Sequence, residues 1–91
     1  MKSIRSIDFL KLQKALPAEI RRQAKLAYEQ FRRDPFYPSL QFKRVNQKHP
    51  FFSVRVGLYY RAVGIREQDD LIVWFWIGTH AEYDRLIDHL A

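Results

Sequence analysis

A chain of 91 residues with a net charge of +6 and no cysteine reads as one small domain spanning 1–91, with no disulfide scaffold and no thiolate metal site. Hydrophobic residues make up 47% and aromatics 15%, enough for a packed core and too many for a disordered tail. The longest apolar run, Leu71 to Ile77, falls far short of the roughly 20 residues a bilayer span needs, and the N-terminus carries charges where a signal peptide is apolar. The expectation is a cytoplasmic protein without a membrane partner.

In chain order, Ser6 or Asp8 caps a short helix running to about Ala15. Pro17 suits the first turn of a second helix, on which Leu16, Ile20, Ala24, Ala27 and Phe31 form one stripe. Asp34-Pro35 ends it, because a residue before proline avoids the helical region. Phe36-Tyr37-Pro38 reads as a loop. Strands follow at Leu40 to Val45, Phe51 to Val56, Tyr59 to Ile65 and Leu71 to Ile77. The last is apolar on both sides, Trp74 and Trp76 included, and is expected at the centre of the sheet, covered on both faces.

Polarity sets the register of the middle hairpin. A three-residue turn, Gly57-Leu58-Tyr59, pairs Val56 with Tyr60, Arg55 with Arg61 and Val54 with Ala62. Val54, Val56, Tyr60 and Ala62 then face the core, and Ser53, Arg55, Arg61 and Val63 the other, open side. A two-residue turn drives a charge inward, and a slip of one residue exchanges every face. Two arginines directly opposite repel, so a bound anion or a nearby carboxylate is expected there. Thr79 followed by Glu82 is a capping-box pattern and starts a helix from about His80 to Leu90, with Tyr83, Leu86, Ile87 and Leu90 as its apolar stripe. Tyr83 and Asp84 are the same-face neighbours of His80.

The positive charge is concentrated. Lys43, Arg44, Lys48, Arg55, Arg61 and Arg66 fall in a window without Asp or Glu, and the remaining ten basic and ten acidic residues cancel. Such a patch attracts polyanions, and Phe42, Phe51, Phe52, Tyr59 and Tyr60 interleave with it as in single-strand binders. A solvated basic face over core aromatics, or a site for an acidic protein, fits the same pattern. The three histidines are far apart in sequence, without metal-ligand spacing; His49 and His89 read as incidental, and no metal or cofactor is expected.

The succession of Leu16-Pro17, Asp34-Pro35, Phe52-Ser53-Val54-Arg55-Val56, Tyr60-Arg61-Ala62-Val63 and Ile77-Gly78-Thr79-His80-Ala81-Glu82-Tyr83-Asp84 resembles the RelE/ParE superfamily of toxins from bacterial type II toxin–antitoxin systems, from about Phe9 to Leu90. The resemblance implies an α+β domain: two N-terminal helices on one face of a small antiparallel sheet of about four strands, with a C-terminal helix at its edge. Members usually open with a strand, for which this chain offers only Lys2 to Ser6. It implies two activities. RelE-like members are endoribonucleases that cut mRNA in the ribosomal A site; ParE-like members inhibit DNA gyrase without catalysis. A non-toxic binding module of the same fold is the third possibility.

On the RelE-like branch Arg55 and Arg61 match phosphate-binding cations, and His80 matches the histidine of a Gly-Thr-His motif that acts in cleavage. Tyr83 lies near the aromatic set against the RNA base, although its own pattern reads rather as a core contact of the last helix. Lys43, Arg44 and Lys48 would add RNA contacts, and Ser53 stands where relatives carry a lysine. The implied partners are a cognate antitoxin, which would bury the basic patch, and the ribosome with its mRNA, or gyrase. Metal-free RNA cleavage needs a base, cations and an acid. A histidine at a helix N-terminus suits the base, because the dipole disfavours a protonated ring, and the free amides there suit a phosphate. Arginine suits the cations. The acid is not evident.

Overall fold

A computed structural model describes residues 1–90, the side chain of Asp69 excepted. The chain runs β1 (Lys2–Arg5), α1 (Ile7–Lys14), α2 (Ala18–Arg33), β2 (Lys43–Arg44), β3 (Phe51–Val56), β4 (Tyr60–Glu67), β5 (Leu71–Thr79) and α3 (His80–Leu90), with short 3₁₀ turns at Pro38–Leu40 and Gln68–Asp70. It is an α+β fold on a five-stranded sheet of order β1-β5-β4-β3-β2. No helix is long and apolar enough to cross a membrane among the described residues.

Local signals account for the helix ends. Ser6 accepts a hydrogen bond from the Phe9 amide and caps α1. Pro17 stands just outside α2, at its N-cap, and Asp34 closes that helix in an extended conformation. Phe9 of α1 with Ala24 and Phe31 of α2 packs on Val54, Val56, Ala62, Ile72, Trp74 and Ile77 of the sheet. Phe31 meets Trp74 edge-on at 5.2 Å and Phe42 at 5.1 Å, contacts of about 0.5–1.5 kcal/mol each beyond area burial. The β3–β4 register has Val56 opposite Tyr60, Arg55 opposite Arg61 and Val54 opposite Ala62, as polarity required. Gly57 enters the turn at φ +60°, where a side chain is strained, and a Cβ there would also run into Gln23 Oε1.

Four expectations are corrected. The sheet has five strands and is mixed: β1 pairs in parallel with β5, Lys2 opposite Leu71 through Arg5 opposite Trp74. The strand expected over Leu40 to Val45 shrinks to two residues, because Gln41 adopts a left-handed conformation (φ 47°) and turns the chain. The middle of the sheet is β4, and β5 lies between β1 and β4. One face of β5, with Ile72, Trp74 and Ile77, is buried against the core, while Val73 and Phe75 are only half covered. Finally, α3 lies over the sheet face opposite α1 and α2, in contact with β4 and β5, and not at the sheet edge. That face was expected to be open, and it is closed where α3 crosses it.

Candidate functional site

The site is built where α3 covers the middle hairpin. Ser53, Arg61 and Val63 project to this side by strand alternation, and all three are buried. Arg61, the residue expected to face solvent, is only 4% exposed. One Nη donates to Ser53 Oγ at 3.0 Å; the guanidinium otherwise makes two long contacts of 3.5 Å, to the Gln41 carbonyl and to Gln41 Oε1. Its Cζ lies 5.2 Å from the centre of the Tyr83 ring, and Nε has no hydrogen-bond partner. Among the described residues no carboxylate lies within 4.0 Å of it. Burial above all pushes its pKa down from the ordinary value; Tyr83 opposes this, and the neighbouring Arg55 charge lowers it further. The Asp84 carboxylate acts on it only from beyond contact; arginine nonetheless stays charged, so the fold holds an ion in its interior without a carboxylate in direct contact.

Arg55 is the cross-strand partner of Arg61. It sits where β2 has already ended, at the free edge of β3, and lines a groove with Gln23, Leu26, Tyr37 and Gly57. It is half exposed, so the pair offers one buried and one accessible cation.

The other side of the site is the start of α3. The Thr79–Glu82 capping box is complete. Glu82 Oε1 accepts from the Thr79 amide at 2.8 Å and its hydroxyl at 2.9 Å, and Thr79 Oγ1 accepts from the Glu82 amide at 3.2 Å. These bonds, that from the Thr79 amide first, hold the Glu82 carboxyl below its usual pKa. The His80 amide donates to the Tyr59 carbonyl at 2.8 Å. The helix amides expected to be free for phosphate are therefore largely taken. The His80 side chain is 56% exposed, with Nδ1 3.3 Å from Asp84 Oδ2. That contact favours the tautomer with its proton on Nδ1 and leaves Nε2 as the unprotonated nitrogen. The ring also meets Tyr83 edge-on at 5.6 Å.

Tyr83 joins the two halves, touching Arg61, His80 and, through a 3.4 Å contact from its hydroxyl, Ser53. It is 7% exposed and hence a core contact, the second of the two roles expected of it. Lys43 is exposed, opposite Ser53 on the adjoining strand. Arg44 donates to the carbonyls of Asn46 and Gln47. Lys48 belongs to the same loop, which is tied to the far end of α3 by a bond from Asn46 to the Leu90 carbonyl. Arg44 and Lys48 are thus separated from His80 by the length of α3, about 16 Å. Two supports of Arg61 escaped the sequence. Ser53 was discoverable, since the hairpin register puts it on the Arg61 face. Gln41 was not, because nothing marks it for a left-handed backbone. Among the described residues no group of three His, Asp or Glu is placed to hold a metal ion.

No curated protein sequence matches the chain significantly. Solved structures share its fold. The RelB–RelE antitoxin–toxin complex from Methanococcus jannaschii matches with a TM-score of 0.69 at 24% identity, covering 90% of this chain and 96% of that one. The toxin–antitoxin complex RelBE2 from Mycobacterium tuberculosis gives 0.66 at 17% identity, covering 87% and 96%. The YoeB/ParE toxin from Agrobacterium tumefaciens gives 0.61 at 14% identity, covering 88% and 99%. A family model described as the ParE-like toxin domain matches residues 18–85, from the start of α2 into α3. The chain belongs to the ParE-like toxin domain family, within the RelE/ParE superfamily.

Proposed function

We propose that the chain is the toxin of a type II toxin–antitoxin pair and cleaves mRNA on the translating ribosome, in the cytoplasm. The observation that carries this reading is the buried guanidinium of Arg61, which has no carboxylate partner. Burying an ion without a directly bonded counter-charge costs several kcal/mol; Asp84 acts on it only at longer range, and a phosphate offers a contacting charge in a geometry that suits arginine. Arg61 is held toward Gln41 only by 3.5 Å contacts, so phosphate oxygens can replace them at small cost.

In this reading His80 Nε2 takes the proton of the ribose 2′-hydroxyl. The oxygen attacks the adjacent phosphorus, and Arg61 and Arg55 stabilise the charge that grows on the phosphorane. The bond to the 5′-oxygen breaks, leaving a 2′,3′-cyclic phosphate. The Tyr83 hydroxyl is turned to Ser53, so the departing oxygen draws its proton from solvent beside the exposed His80. Lys43, Arg44 and Lys48 give outer contacts to the polyanion. A cognate antitoxin neutralises the protein by covering this basic surface.

A ParE-like activity on DNA gyrase, or a non-toxic binding module, is favoured by one observation: Arg61 and Tyr83 are interior groups and serve equally as scaffold. Induced expression of wild type and His80→Ala separates these readings, with mRNA cleavage mapped by primer extension and plasmid supercoiling measured alongside. RNA cleavage predicts cuts that vanish in His80→Ala with supercoiling intact. Growth arrest with whole mRNA and relaxed plasmid assigns the gyrase activity instead, and unaffected growth with neither effect assigns the binding module.

A further inference from the structure

Outside the window of residues 41–66 the charges cancel in number and not in space. Residues 1–33 hold nine Lys or Arg against three Asp or Glu, and residues 67–91 hold six Asp or Glu against one arginine. Much of the first surplus is gathered on one flank of α2. Arg21, Lys25, Tyr28 and Arg32 follow one another at spacings of four, three and four, so their side chains stand in a row about 16 Å long. The neighbouring elements extend it. Arg21 donates to the Lys14 carbonyl at 3.3 Å, at the end of α1. Arg5 of β1 places its Cζ 4.4 Å from the centre of the Tyr28 ring, and Arg32 places its own at 6.0 Å. The Tyr28 hydroxyl is fixed by Ser3, accepting from its side chain and donating to its carbonyl. Among the described residues no carboxylate lies within 4.0 Å of Arg5, Lys14, Arg21, Lys25 or Arg32. Glu29, exposed on the same helix, stands to one side of the row.

This surface is separate from the Arg61–His80 site, because α2 packs on the sheet face opposite α3. A row of guanidinium and ammonium groups without carboxylate partners suits phosphates. The Tyr28 ring is covered by Arg5 and its hydroxyl is taken by Ser3, so the row presents no ring on which an unpaired base can stack. Protein interfaces are anchored by apolar and aromatic side chains near their centre, and the row offers none. The ligand that fits is a double helix, recognised through its phosphates and its shape. Resting on the ribosomal reading above, we propose that Arg5, Arg21, Lys25 and Arg32 form a docking surface for double-helical RNA, which on the ribosome is folded ribosomal RNA. It holds the toxin by its helical side while the message lies across the other face of the sheet. Such a contact is indifferent to sequence and sensitive to salt.

The test measures binding of the full chain, carrying His80→Ala to prevent cutting, to vacant ribosomes and to a short blunt-ended RNA duplex over a series of KCl concentrations. This parent is expected to bind both, with log K falling linearly against log salt. Adding Lys25→Gln and Arg32→Gln reduces that slope by about two and weakens binding about ten- to hundredfold, with the melting temperature unchanged. Arg22→Gln with Arg33→Gln removes the same charge from the far side of Glu29 and binds like the parent. In the chain that keeps His80, the first pair raises KM for programmed ribosomes more than it lowers kcat. Equal losses in the two pairs would reveal an effect of net charge alone and overturn the docking surface, as would full ribosome affinity in Lys25→Gln/Arg32→Gln. Binding of the row to poly-glutamate and not to the duplex assigns it to an acidic protein instead. If row-dependent binding holds and the chain that keeps His80 never cuts programmed ribosomes, the ribonuclease falls and the docking surface stands.

Discussion

Replacing Arg61 by methionine separates a ligand-binding arginine from a structural one. In the folded chain its favourable contacts are the charge-assisted bond to Ser53, worth about 1.5–3 kcal/mol, and the Tyr83 ring at 5.2 Å, worth up to about 2 kcal/mol when desolvated. Against these stand several kcal/mol for burying an ion with no carboxylate in contact, eased in part by Asp84 at longer range, and about 1–3 kcal/mol for the unpartnered Nε. The two sides nearly cancel. Methionine fills similar space without charge, Gln41 is exposed and can turn to water, and Ser53 keeps the Tyr83 hydroxyl as a donor. Arg61→Met is thus expected to unfold in urea within about 1 kcal/mol of wild type, or to be more stable. It is also expected to lose RNA cleavage. Inorganic phosphate should raise the melting temperature of wild type and not that of the variant, because only the former binds it in the folded state. A loss of more than about 2 kcal/mol in Arg61→Met would show that the guanidinium is a structural tie and would refute this accounting.

Other substitutions test neighbouring parts. Ser53→Ala removes the shared acceptor of Arg61 and Tyr83 from a fully buried position and should cost about 1–3 kcal/mol in chemical denaturation. Gly57→Ala should lower stability by about 1–2 kcal/mol through the left-handed turn, visible as a lower melting temperature. Thr79→Ala breaks the capping box and should cost about 0.5–2 kcal/mol. Because the Glu82 carboxyl is lowered in the folded chain, the unfolded chain takes up its proton first on acidification. Its contribution is complete above the ordinary carboxylate value of 4.5 and is lost as pH falls from there through the lowered folded value. Glu82→Gln should flatten that part of the stability–pH curve; an unchanged curve would show that the capping carboxylate is not linked to folding.

What the sequence disclosed was local. The capping box of Thr79 and Glu82, the Ser6 cap and the Asp34-Pro35 stop are short-range signals, and each sits where the pattern put it. The hairpin register was legible because only this pairing turns Val54, Val56, Tyr60 and Ala62 to the core together. The missed elements depend on distant partners. Lys2 to Arg5 has little strand character of its own and becomes β1 only by lying against Leu71 to Trp74. The burial of Arg61 was illegible for the opposite reason: charge normally marks solvent, and only the placement of α3 across β4 shows otherwise. The expectation for Tyr83 drew on resemblance, whereas its surroundings follow from tertiary packing.

The parallel pairing of β1 with β5 joins two stretches separated by most of the chain. Such long-range closure is entropically demanding and slows folding. During synthesis, β1, α1 and α2 emerge before the strands they pack on, so neither the sheet edge at β1 nor the seat of α1 exists until β5 has left the exit tunnel. Arg61 acquires its lid still later, when α3 follows. A chain interrupted before that last helix carries its cationic hairpin uncovered, and the covered guanidinium is the final product of translation.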